Sequence, residues 1–158
     1  MTTAASRLQG LIDALVLNKA QDGLSLNLLP AQWEALAHYL QPLTLAQGEV
    51  LFKQGAMDRT LYFVASGSLS VHFEDAESRI RLAIVGAGTV VGEGSFFTAM
   101  PRSATVQAGS TCILWSLSPM RYTEMTHRKP ELALAVAMGA GAVVAKRLMH
   151  SRYRVAVT

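Results

Sequence analysis

A chain of 158 residues is long enough for one domain with a real core, and 51% apolar against 16% charged residues excludes a disordered one. The net charge of +3 is unevenly spread, since residues 132–158 carry Lys146, Arg147, Arg152 and Arg154 and no acid. Four charges without interleaved aromatics make a poor nucleic-acid footprint; they read as a solvated helix end that complements the helix dipole, and DNA binding is not expected.

Residues 1–42 have a helical texture. Leu8, Leu11, Ile12, Leu15 and Val16 recur at helical spacing between Ser6 and Ala20, and Asp22-Gly23 breaks the run. A second helix is predicted to start at Pro30, to turn Trp33, Leu36, Ala37 and Leu40 inward, and to stop at Pro42. The apolar patch from Leu11 to Leu17 is interrupted by Asp13 and followed by no cleavage pattern, so it is not read as a signal peptide.

From 43 to 118 the period changes. Short β-rich runs at 50–52, 61–64, 69–73, 81–85, 104–106 and 112–115 are punctuated by glycines, among them Gly48, Gly55, Gly67 and Gly88. Short strands at close, turn-marked spacing predict an antiparallel sandwich or barrel. No segment between them is long and periodic enough for the crossover helix of a parallel sheet. The single Cys112 has no disulfide partner within the chain and lies in an apolar run, so it reads as a buried thiol.

Residues 119–158 return to helix, with starts at Ser118-Pro119 and Lys129-Pro130. From Leu132 to Ala145 nearly every residue is apolar or small, which predicts a helix covered on more than one side. Leu132, Val136, Gly139 and Val143 would face the chain's own barrel. Leu134, Met138, Ala142, Ala145 and Met149 would face a second copy, giving a homodimer through residues 130–155. The stretch is short and glycine-interrupted for a membrane span, and no membrane contact is expected. A cytoplasmic protein is the expectation. Gly139 and Gly141 cost roughly 1 kcal/mol each relative to Ala, so they either allow a close helix contact or soften the helix.

The chemistry concentrates at 92–106. Taken alone, a Glu93 and an Arg102 nine residues apart in a β-rich domain read as a surface ion pair, worth about 0–1 kcal/mol. Their neighbours point elsewhere. Gly92 allows a tight turn, residues 94–99 fit one short helical turn whose free amides can face an anion, and Pro101 re-enters an extended strand carrying Arg102 and Ser103. A cyclic phosphate diester on a ribose calls for a forked cation, an acceptor for a hydroxyl and free N–H groups, and this run holds all three.

The run Gly92-Glu93-x-x-Phe96-Phe97, followed by Pro101-Arg102-Ser103-Ala104-Thr105-Val106, resembles the phosphate-binding cassette of the cyclic-nucleotide-binding domain family. That family includes the catabolite activator protein and the regulatory subunits of protein kinase A. Upstream, the stretches 48–55 and 61–71 resemble the family's first β-roll strands with their turn glycines. The resemblance implies a mainly β, α+β fold: an antiparallel double-stranded β-helix, or jelly roll, at 43–118, with helices at 1–42 and 119–158. By resemblance, Glu93 accepts from the ribose 2′-hydroxyl and Arg102 pairs with the cyclic phosphate. The Ser103 hydroxyl and the amides near Ser95 and Ala104 complete the phosphate shell, with Gly92 and Gly94 shaping the turn. The family closes its pocket over the base with its last helix, here around Arg147, Leu148, Ser151 and Arg152. Ser103 stands where cGMP-preferring relatives often carry Thr, so cAMP is expected over cGMP.

Two positions depart from the family pattern: Gly94 replaces a usual Leu, Ile or Met, and Ser95 a usual Ala or Gly. No helix-turn-helix follows the long helix in this sequence. The function implied is a non-enzymatic sensor that signals through its C-terminal helices; the alternative is an interaction or dimerisation module of the same fold with another ligand or none. Other signals are weak. Gly86, Gly88 and Gly92 do not have the spacing or the βαβ setting of a dinucleotide loop. His38, His72, His127 and His150 are isolated, no motif marks a nucleophile, and neither metal nor cofactor is expected.

Overall fold

The computed structural model describes residues 3–158, apart from the side chains of residues 151 and 152. Eight strands form two antiparallel four-stranded sheets. One has the order β1 (Gln41–Leu45), β8 (Cys112–Leu117), β3 (Leu61–Ser66), β6 (Val90–Val91). The other runs β2 (Val50–Phe52), β7 (Thr105–Ala108), β4 (Leu69–Glu74), β5 (Ile80–Val85). This is the β-roll that the sequence predicts.

Strand alternation explains why β3 and β8 read as continuous apolar runs. Their side chains point alternately to two different cores. Phe63 and Trp115, paired across the ladder, join a core shared with the helices, whereas Val64 and Leu114, the next pair, point into the roll between the sheets. Cys112 is fully buried on the roll side. Gly67, at φ +87°, has to be glycine: a Cβ there would lie 2.7 Å from the Cys112 sulfur.

A 3₁₀ turn at Ala4–Leu8 leads into α1 (Gln9–Leu17), and α2 spans Pro30–Ala37. Leu8, Leu11, Leu36, Ala37 and Leu40 are buried as expected, but Val16 is exposed and Trp33 only partly covered. Pro42 does not stop a helix. The helix has already ended at Ala37, and Pro42 lies in β1 on the sheet's edge, where a residue without an N–H is tolerated.

Beyond the roll, α4 (Pro119–Arg128) and α5 (Pro130–Met149) pack on each other. The two stripes of α5 separate as predicted. Leu132, Val136, Gly139 and Val143 are buried, while Leu134, Met138, Ala142, Ala145 and Met149 are exposed. The buried stripe meets more than the barrel: Gly139 sits so close to the segment before α2 that a Cβ would stand 2.7 Å from Leu26 Cδ2. At 20 residues, with an 18-residue stretch of mean hydropathy 1.6, α5 is longer than expected and would pass for a membrane span by length and composition alone. Its inner face, however, belongs to the helical core.

After α5 the chain turns back. A 3₁₀ segment, Ser151–Ala156, packs against β4 and β5, and Ala156 is fully buried among the residues of the roll. The sequence patterns predict helix here and do not indicate this return.

Candidate functional site

The segment between β6 and β7 holds the candidate site. Gly92, at φ +85°, caps α3 (Glu93–Thr98). Any side chain at 92 would be strained, and its Cβ would lie 2.6 Å from both Arg102 Nη1 and the Thr60 carbonyl oxygen. The expected helical turn is therefore present. Arg102 and Ser103, by contrast, lie in irregular chain before β7, not on a strand. Ala104 is buried in the roll core, and Phe96 packs edge-on to Tyr122 of α4 at 5.0 Å, which ties the cassette to the C-terminal helices.

Glu93 and Arg102 do not pair with each other. Each is buried and each has its own partner. The Arg102 guanidinium donates from Nη1 to the Gly92 carbonyl (2.9 Å) and from Nη2 to Asp58 Oδ2 and the Thr60 carbonyl, both at 2.7 Å. It lies 4.0 Å above the Phe52 ring, a cation–π contact. Its Nε–H is buried without a partner, as is the Ser95 hydroxyl. Burial pushes the Asp58 carboxyl up, but hydrogen bonds from Arg102 and from the Thr60 amide and hydroxyl outweigh it and leave Asp58 below the ordinary aspartate value.

Glu93 meets Arg147 of α5 at 2.7 Å, and both side chains are wholly buried. Arg147 also donates to Asp22 Oδ2 (3.0 Å), Thr89 Oγ1 (3.3 Å), and the carbonyls of Val90 (2.8 Å) and Ala156 (3.1 Å). A guanidinium has five N–H groups, and Arg147 uses all five. The side chains of Ser151 and Arg152 lie outside the described residues. Ser103 donates to the Val157 carbonyl at 3.0 Å. Gly94 faces Thr158, whose amide and hydroxyl both reach Glu93 at 3.1 Å.

Gly92 and Arg102 are thus in contact, Glu93 draws Arg147 to the segment, and of the remaining expected residues Gly94, Ser95 and Ser103 meet the returning chain at 157–158. Asp58, Asp22, Thr60 and Thr158 were missed. Their partners lie 42 to 125 residues away in the chain, beyond any local spacing rule. Among the described residues no three His, Cys, Asp or Glu side chains gather as metal ligands would.

The model of the cyclic nucleotide-binding domain family matches residues 42–129, more than half of the chain. The chain belongs to that family. Among its relatives, it is 32% identical over 107 residues to the cAMP-activated global transcriptional regulator CRP of Haemophilus influenzae, covering 66% of this chain and 46% of the regulator. It is 30% identical over 97 residues to patatin-like phospholipase domain-containing protein 7 of Rattus norvegicus, covering 60% of this chain and 7% of that protein. The chain therefore spans less than half of either relative. A solved cyclic nucleotide-binding domain from Methylobacillus flagellatus shares the fold at a TM-score of 0.82 and 22% identity, over 98% of this chain and 85% of that one.

Proposed function

We propose that this cyclic nucleotide-binding domain is a non-enzymatic sensor, binding cAMP in preference to cGMP, and that residues 1–42, 43–118 and 119–158 act as one module. Glu93 receives the ribose hydroxyl, while Arg102, Ser103 and the amides of the α3 turn receive the cyclic phosphate. Arg147 acts through Glu93, whose carboxylate it orients. The carrying observation is the Arg102 guanidinium: fully buried, yet with its Nε–H unanswered, beside a cassette whose Ser95 hydroxyl is equally unanswered. Buried polar groups without partners are rare, and a phosphate would supply acceptors for both.

The signal leaves through α4 and α5, by way of Phe96 against Tyr122 and Glu93 against Arg147. The exposed stripe of α5 forms a homodimer interface within residues 130–155, and the protein is cytoplasmic. Calorimetric titration with cAMP and cGMP tests the reading: cAMP binds more tightly, and Arg102→Ala loses roughly 2–5 kcal/mol of affinity, the scale for breaking a buried charged pair. Unchanged affinity in that variant removes Arg102 from the role. A second reading, an interaction module whose pocket never admits a nucleotide, is favoured by one observation: residues 157 and 158 already bond to Ser103 and Glu93.

A further inference from the structure

Residues 156–158 engage the cassette point by point. The Thr158 hydroxyl donates to Glu93 Oε2 (3.1 Å) and accepts from the Gly92 N–H (2.7 Å). Its amide donates to Glu93 Oε1 (3.1 Å), and its carbonyl accepts from the Ser95 N–H (3.3 Å). The Val157 carbonyl accepts from Ser103, and the Ala156 carbonyl from Arg147. One hydroxyl on Glu93 and two carbonyl oxygens on the N–H and O–H donors reproduce the polar pattern assigned above to a ribose and a phosphate.

Two further observations agree. Gly94 makes room for the segment, since a Cβ there would stand 3.0 Å from the Thr158 carbonyl carbon. Beside Val155 and Val157 the roll retains a cavity of about 220 Å³, bordered by Phe73, Arg81, Ser103 and Ala104. That is below the roughly 300–1,000 Å³ of ordinary ligand pockets.

We infer that residues 153–158 are a tethered competitor for the pocket, and that a cyclic nucleotide binds by expelling them. The inference rests on the cassette being a nucleotide site. The segment satisfies Glu93, Ser95 N–H and Ser103, but contributes no hydrogen bond to Arg102, whose partners are Asp58, Thr60 and Gly92. A phosphate supplies an acceptor for the Arg102 Nε–H, which the segment leaves unanswered. This difference lets a nucleotide displace a competitor held at the millimolar effective concentration of a short tether. Expulsion also takes the Ala156 carbonyl from Arg147, so pocket occupancy is felt at the end of α5.

The test is a cAMP titration of three chains: the full sequence, a version shortened to end at Arg152, and Thr158→Ala. When only a fraction of molecules has an open pocket, apparent affinity falls by that fraction. The shortened chain should bind cAMP at least about tenfold more tightly than the full one, and Thr158→Ala should bind more tightly by a smaller factor. A synthetic peptide of residues 153–158 should compete with cAMP on the shortened chain. Equal cAMP affinity in all three chains overturns the inference while leaving the nucleotide site standing. If the shortened chain does not fold, unchanged affinity in Thr158→Ala is sufficient to overturn it. No binding by any chain, with cooperative melting retained, overturns the nucleotide site and the inference together.

Discussion

A guanidinium with no exposure to water needs an acceptor for each donor, and the two buried arginines of this domain differ on that point. Arg147 has five acceptors, two of them the carboxylates of Asp22 and Glu93, 71 residues apart in the sequence, so it is a structural joint as much as a candidate site residue. Arg102 leaves its Nε–H open. Removing one partner from a buried charge cluster leaves an uncompensated charge and costs about 3–5 kcal/mol. Arg147→Ala strands both Glu93 and Asp22. Urea unfolding should therefore show a loss of about that size, or roughly a 10 °C drop in Tm for a chain of this length. A loss below about 1 kcal/mol would mean that the two carboxylates find other partners or water. Neither arginine's partners were legible in the sequence, because Asp58 and Asp22 are brought close only by the folding of the roll and of the segment before α2.

Among the elements, α5 carries two glycines with opposite surroundings. Gly139 is pressed against Leu26, Leu24 and the Ser25 carbonyl, while a Cβ at Gly141 would meet nothing within 4 Å. Gly141→Ala should gain up to about 1 kcal/mol from helix propensity alone. Gly139→Ala has the same propensity gain, but its crowding costs about 1–3 kcal/mol, so it should be neutral or destabilising. Thermal melts of the two variants, moving in different directions, separate close contact from softness. The two stripes of α5, the strands β2, β3, β4, β5, β7 and β8, and the α3 turn were readable because each follows a local period or a glycine with positive φ. β6 escaped because two valines make no pattern, and β1 because a proline after a helical run carries the signature of a helix stop. The returning segment escaped for a different reason: Val155, Ala156 and Val157 are a short apolar run whose destination is fixed only by the pocket that receives it.

On the scale of the whole molecule, the cassette, α4, α5 and the returning segment form one connected path, and the exposed stripe of α5 lies on the side of the helix away from it. Leu134, Met138 and Met149 are each more than 60% exposed, an apolar surface consistent with the proposed homodimer. Sedimentation should find the mass of two chains for the parent and of one for Met138→Glu, with the melting curve little changed. The same architecture isolates one atom. The Cys112 sulfur lies inside the roll, beneath Gly67, on a strand paired on both sides. A thiol reagent can reach it only when β8 separates from its neighbours, so its labelling rate at fixed pH reports how often the roll opens. The lone cysteine is thereby a built-in clock for breathing of the barrel, readable without introducing any residue into the sequence.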